Sequence, residues 1–417
     1  MNRTVAIGLL SLLVLSGLVP AKAAGAGETR YVSTIGSDRN NGSVSSPWAT
    51  LQHAVGQSRP GDTILVRGGT YREGEVWLRS EYRHCGTPGN LLTIKAYENE
   101  VPAFVNSDRP FIVECNYLRV EGLHFKNGKS IGVRGNTVQI VDNTFTGSGY
   151  GWDAIDASGN DILLEGNKCD INGNVVGTQG HCYYISHGTN ITVRNNLAKG
   201  MTGYGIHVFD QRRGEDPPGF ERLIKNVMIE GNAVTQSQQR SGIILAAYDH
   251  ARIEHVIVKN NVVFNNVGVG IFVPGLANDV RIYNNTLTGN QSGIPVYIKG
   301  GKNEVSNVRI INNIFDNSGV RHNEGAMFHV VNEDHNPEVS LENNLYWPKP
   351  VKLKNVKDPR PITGDPLFAD PPGGDFRLKI GSAAIDQGMA LEDVPRDRDG
   401  VARPQNSKFD VGAYEYH

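Results

Sequence analysis

One four-residue phrase returns through the middle of the sequence. It reads Ile140-Val-Asp-Asn143, Leu164-Glu-Gly-Asn167, Val193-Arg-Asn-Asn196, Ile229-Glu-Gly-Asn232, Val258-Lys-Asn-Asn261, Ile282-Tyr-Asn-Asn285, Ile310-Ile-Asn-Asn313 and Leu341-Glu-Asn-Asn344. Each copy is an aliphatic residue, two variable positions and an Asn, followed by another short apolar run. Successive Asn residues lie 24, 29, 36, 29, 24, 28 and 31 positions apart, and a fixed phrase at a loose period of this length marks stacked repeats. The apolar runs are too short and the turns too polar for helical repeats. They fit one coil of a parallel β-helix, with Asn closing the same corner in every coil. Asn and Gly tolerate the left-handed backbone that a sharp bend needs. With coils ~4.8 Å apart, each Asn amide can donate to one neighbour and accept from the other. Such a ladder satisfies polar groups that are costly to bury alone, while the flanking Val, Ile and Leu stack inward.

In a solenoid, 417 residues count coils rather than domains, and roughly nine to eleven coils are expected. Charge is balanced, with 41 Lys+Arg against 43 Asp+Glu. That argues against a nucleic-acid partner, which selects a basic surface; it leaves room for an acidic polysaccharide in a locally basic cleft. Arg3, an apolar run over 5–19 and Ala21-Lys22-Ala23 predict a cleaved signal peptide at 1–23, the run being short for a membrane span. The mature chain is therefore expected to be secreted or periplasmic, without a membrane span, and monomeric. Its four cysteines allow three pairings. Cys85 with Cys115 and Cys169 with Cys182 are the natural pairs, each linking neighbouring coils. Four small buried thiols are the alternative.

The N-terminal module carries Tyr31-Val-Ser33, Gly36-Ser-Asp38, Asn41-Gly42, Ser46-Pro47, Thr50-Leu-Gln52, Ala54, Pro60-Gly-Asp-Thr63, Val66 and Gly69-Thr-Tyr71. Apolar residues at helical spacing near Leu51 predict a short amphipathic helix over the first coil, where strand edges would otherwise stand open. This segment resembles the start of secreted bacterial right-handed parallel β-helix proteins, the pectate-lyase-like superfamily with a DUF1565-like N-terminal segment. The resemblance implies an all-β, single-stranded right-handed parallel β-helix with a short N-terminal capping helix. The predicted division is signal peptide 1–23, cap and first coil 24–80, coils 81–346 and closing segment 347–417. The last segment contains Asp397-Arg-Asp399-Gly400, which offers oxygens to a calcium ion; a polar turn is the commoner outcome of such a sequence.

The resemblance also implies a polysaccharide partner, although one scaffold of this kind hosts lyases, hydrolases, epimerases and inert adhesins. A second set of strands alternates with the Asn corners. Aligned on a recurring Gly-Ile phrase, their outward positions read Asp156, Tyr184, His207, Ile244, Phe272, Pro295 and Phe328. The next outward positions read Ser158, Ser186, Phe209, Ala246, Pro274, Tyr297 and Val330. Asp156, Tyr184 and His207 are then a solvent-facing column in steps of ~5 Å. Asp153 and His181 are secondary catalytic candidates. Trp152, Tyr204, Asp210, Arg212 and Arg213 are candidates for holding substrate, the last two in a long insertion at 211–221. For β-elimination on a uronate, Tyr184 and His207 supply base and acid in unassigned order, Asp156 tunes Tyr184 or helps hold a metal, and the arginines neutralise the sugar carboxylate. The alternatives are a glycoside hydrolase using Asp carboxylates and a glycan-binding surface protein without turnover. An Asp, Tyr or His on a solenoid wall is ordinarily just solvated; the adjacency of three is what singles these out.

Overall fold

A computed structural model describes residues 27–79, 85–105, 111–127, 131–147, 153–171, 180–210, 222–247, 251–301, 303–318 and 328–417. The proposed signal peptide, Trp152, Arg212 and Arg213 lie outside the described residues.

The described chain winds as a parallel β-helix with three faces. The first face runs from Val76–Arg79 to Leu353–Lys354, the second from Thr29–Val32 to Val339–Glu342, and the third from Gly69–Tyr71 to Ile362–Thr363. The first two faces form one continuous sheet because Tyr183–Arg194 bends through both. The third face has 12 strands, more than the expected number of coils, because Leu353–Lys354 and Ile362–Thr363 of the expected closing segment add a last turn.

Alternation along each strand sends one residue in two to the core. On the second face Ile94, Val120, Ile140, Leu164, Val193, Ile229, Val258, Ile282, Ile310 and Leu341 stand in register, one above another. On the third face the rings of Tyr71, Phe104, Phe125 and Phe145 stack at 5.1, 5.7 and 5.0 Å.

Every Asn of the repeated phrase joins the ladder. From Asn143 to Asn344, each donates its backbone N–H and its Nδ2 to the Oδ1 of the next at 2.8–3.2 Å. Asp358 terminates the series, accepting from Asn343 and Asn344 and from the Tyr346 hydroxyl. The left-handed residue is the one before each ladder Asn: Asp142, Gly166, Asn195, Gly231, Asn260, Asn284, Asn312 and Asn343 have φ between 49° and 66°. The bend and the ladder thus fall to two adjacent residues, not one.

Helix Leu51–Gln57 seats Leu51, Ala54 and Val55 on the first coil. Its first turn is held by the Thr50 cap and by Glu73, whose carboxylate accepts from the N–H groups of Leu51 and Gln52 at 3.0 and 3.1 Å. Asp38 accepts from the N–H groups of Ala49 and Thr50, so the Asp of the Gly-Ser-Asp motif orders the chain ahead of the helix. Both expected disulfides are present, Cys85–Cys115 and Cys169–Cys182.

The C-terminal segment does more than follow the last coil. It returns along the flank of the third face and packs Phe368, Phe376, Leu378, Val411 and Ala413 on Val262, Ile314 and Leu345. The left-handed Asn residues meet it, as Asn343, Asn312, Asn284 and Asn260 donate to carbonyls of Gln387, Met389, Asp410 and Arg396. Asp397 accepts from the N–H groups of Val401 and Glu415, so its carboxylate closes a turn.

Candidate functional site

Register on the first face places Trp77, Ile112, Gly132, Asp156, Tyr184, His207, Ile244, Phe272, Tyr297, Val331 and Lys354 in one column. Asp156, Tyr184 and His207 are therefore neighbours up a single wall. Higher up, Tyr297 and Val331 occupy the places assigned to Pro295 and Phe328. Ile271 donates to the Pro295 carbonyl, so the Gly293-Ile294 phrase lies ahead of its strand and the phrase misaligns these coils. The next column also departs from expectation. The register shifts between Ala157 and Ser158, so Ser158 pairs with His187 rather than Ser186, and Pro274 pairs with Lys299 rather than Tyr297.

The larger correction concerns exposure. Tyr184 is 9% and His207 3% exposed; they face outward from the sheet but do not stand in solvent. A ring cluster surrounds them. His181 and His207 have centroids 4.3 Å apart, Tyr184 and His207 4.9 Å, Tyr204 and His207 4.8 Å, and His181 stacks on Tyr204 at 5.4 Å. Phe209 also stacks on His207 at 5.5 Å. Tyr204 is half-buried and forms the outer edge.

Hydrogen bonds fix the pieces. The Tyr204 N–H donates to His181 Nδ1 at 2.8 Å, which leaves the proton of the neutral ring on Nε2. The His181 N–H donates to Asp153 Oδ1 at 3.1 Å, so Asp153, just ahead of strand Ile155–Ser158, orders the strand entrance. His207 Nδ1 has no hydrogen-bond partner among the described residues. Burial disfavours the imidazolium of both rings. It lowers His181 to about 3 and His207 well below the ordinary histidine range, with the Arg240 cation pushing both the same way. Burial raises the Tyr204 phenol, against a smaller opposing pull from Arg240.

The remaining candidates are committed elsewhere. Asp156 pairs through Oδ2 with Arg134 at 2.5 Å, and its Oδ1 is buried without a hydrogen-bond partner among the described residues. Asp210 is 2% exposed, with an oxygen 3.8 Å from His187 Nδ1, and so belongs to the interior of the wall instead of lining it. Arg240 is the residue that the sequence reading missed. It is exposed, and its carbonyl is held by Gly268 N–H and the Ser237 hydroxyl. Its position in the turn just before the Gly242-Ile243 phrase, one coil above His207, was the available signal. The site thus offers two neutral imidazoles and two phenols in contact, with a cation at the rim, a combination suited to moving a proton in a water-poor setting.

A family model described as Pel9A-like, right handed beta helix region, matches residues 30–150. A second, described as periplasmic copper-binding protein (NosD), matches residues 141–357, just over half of the chain. Pectate lyase L of Paenibacillus polymyxa (strain SC2) is 26% identical over 291 residues, 62% of this chain and 64% of that protein. The uncharacterized protein YwoF of Bacillus subtilis (strain 168) is 36% identical over 96 residues, 22% of this chain and 19% of that protein. The matched regions therefore span less than two thirds of either relative. The crystal structure of pectate lyase Pel9A superimposes with a TM-score of 0.56 at 15% identity, covering 94% of this chain and 97% of that one. These likenesses make the coil a right-handed, pectate-lyase-like β-helix.

Proposed function

The chain belongs to the NosD family of β-helix proteins, and from that premise we propose that it is an exported carbohydrate-active enzyme that cleaves a uronate-containing polysaccharide by β-elimination. One observation carries the reading: His181 and His207, both held neutral, touch at 4.3 Å between Tyr184 and Tyr204, under the field of Arg240. Neutral His207 takes the proton from the carbon α to the sugar carboxylate. The C–H electron pair forms the new double bond, the bond to the leaving oxygen breaks, and that oxygen takes the Tyr184 proton. Arg240 offsets the charge gathering on the carboxylate. His181, anchored through its Nδ1, positions His207. Since His207 is 3% exposed, the sugar has to enter beside Tyr204 and Arg240. Export is supported by the two disulfides, which form in oxidising compartments. No helix among the described residues is long and apolar enough to cross a membrane.

Hydrolysis by two carboxylates is the weaker reading, because Asp156 is ion-paired with Arg134 and Asp210 is buried beside His187. The copper in the family's description finds no fitting ligand set among the described residues. All four cysteines are in disulfides, and no three His, Cys, Asp or Glu among the described residues converge on a metal-sized space. No step is routed through that ion.

A panel of pectins, alginates and neutral glycans tests the proposal. The expected result is ultraviolet absorbance of an unsaturated product from an acidic glycan, abolished in His207→Ala and strongly reduced in Tyr184→Phe and Arg240→Ala. New reducing ends without that absorbance would make it a hydrolase, and binding without turnover would make it a glycan-binding protein.

A further inference from the structure

The returning C-terminal segment leaves a cleft of about 600 Å³ against the third face. Its floor is built from three successive coils: Thr288, Asp316 and Trp347 stand in register, one above another. Its far wall is the returning segment, with Phe368 at the bottom and Asp365 and Lys379 exposed at the rim. Clefts of roughly 300–1,000 Å³ are the size that holds small ligands. None of these residues belongs to the His207 cluster, which lies on the first face.

The chemistry of the walls narrows the ligand. Trp347 is half-buried, giving a flat apolar surface beside polar groups, which suits a ring with one apolar face and hydroxyls at its edge. Asp316 is 4% exposed, accepting from the Thr288 hydroxyl at 2.8 Å and from the Ser318 N–H at 2.7 Å, and retains further lone pairs for a ligand hydroxyl. Burial raises its acid range, with smaller opposing pulls from the Ser318 and Thr288 hydrogen bonds, and in either state its oxygens can accept from a ligand hydroxyl. Asp365 and Lys379 offset each other at the rim. The cleft therefore suits a ligand without net charge, unlike the arginine-edged cluster proposed to take uronates.

We propose that this cleft is a second glycan site, in which an uncharged sugar unit stacks on Trp347 and hydrogen-bonds to Asp316 and Thr288. It would hold a neutral chain or branch while the first face acts on the acidic one, and it stands whether or not the elimination reading does. Titration calorimetry of the full chain with neutral xylo-, gluco- and galacto-oligosaccharides, and with oligogalacturonate, tests it. At least one neutral series is expected to bind, with affinity weakened about tenfold or more in Trp347→Leu and in Thr288→Val, and unchanged in His207→Ala. Melting curves of the variants check that each is folded. The proposal is overturned if no neutral oligosaccharide binds, if binding survives both cleft variants, or if only the uronate binds.

Discussion

Asn232 accepts at its Oδ1 from the N–H and Nδ2 of Asn196, and donates to Asn261 Oδ1 and to the Val193 carbonyl. Replacing it with Ala strands the Asn196 N–H in the core and leaves one Nδ2 hydrogen of Asn196 and the Asn261 Oδ1 short of a partner. At roughly 1–3 kcal/mol for each buried unsatisfied group, Asn232→Ala is expected to lose ~3–5 kcal/mol, read by urea denaturation. His181 makes a second prediction. Its folded pKa falls to about 3, while the unfolded ring titrates near 6.5. The stability linked to its neutral form is thus complete above about pH 6.5 and is lost as pH falls toward the folded value. In His181→Phe the loss between pH 7 and pH 5 should shrink by about 2 kcal/mol, measured by denaturation at the two pH values. If the elimination reading holds, the same depression predicts a pH–rate profile without a limb near the ordinary histidine value.

At the scale of elements, the returning segment depends on one buried ion pair. Arg403 and Glu415 are 0% and 1% exposed in their side chains, and Arg403 also donates to Asn260 Oδ1 and to the carbonyls of Asp410 and Gly412. Removing one member of a buried pair leaves the other uncompensated, at about 3–5 kcal/mol. Arg403→Leu should release residues 386–417 to limited proteolysis while the central coils stay protected. Asp410 beside it is raised to about 6, first by burial. A carboxyl raised on folding contributes stability that is present at low pH and is lost as pH rises through its folded value. The segment should therefore dock more tightly at pH 5 than at pH 7.5 by hydrogen exchange, and Asp410→Asn should remove that difference.

Across the whole molecule each coil leans only on its neighbours, so the ends carry the risk. Helix Leu51–Gln57 covers the first coil with Leu51, Ala54 and Val55. Leu51→Asp should unseat it and expose strand edges that pair between chains, raising the apparent mass in size-exclusion chromatography with light scattering. The same neighbour logic explains how much could be read ahead of the structure. The ladder Asn residues and the alignment of Asp156 with Tyr184 and His207 follow from a period that every coil repeats. The upper rows of the first face do not, because the Gly293-Ile294 phrase sits ahead of its strand, and the shift at Ala157 and Ser158 brings His187 into the place read as Ser186.

By itself the sequence determined the coil, its corner and the lower rows of its first face, since period-2 alternation and a recurring Asn constrain each residue through its near neighbours. Only the tertiary structure decided which of those wall residues meet water. His207 and Asp210 are buried, Arg240 stands at the rim, and the chain's last 50 or so residues fold back over the third face and leave a cleft. Burial of this kind arises from contacts between segments distant in the chain, and a local pattern carries no record of them.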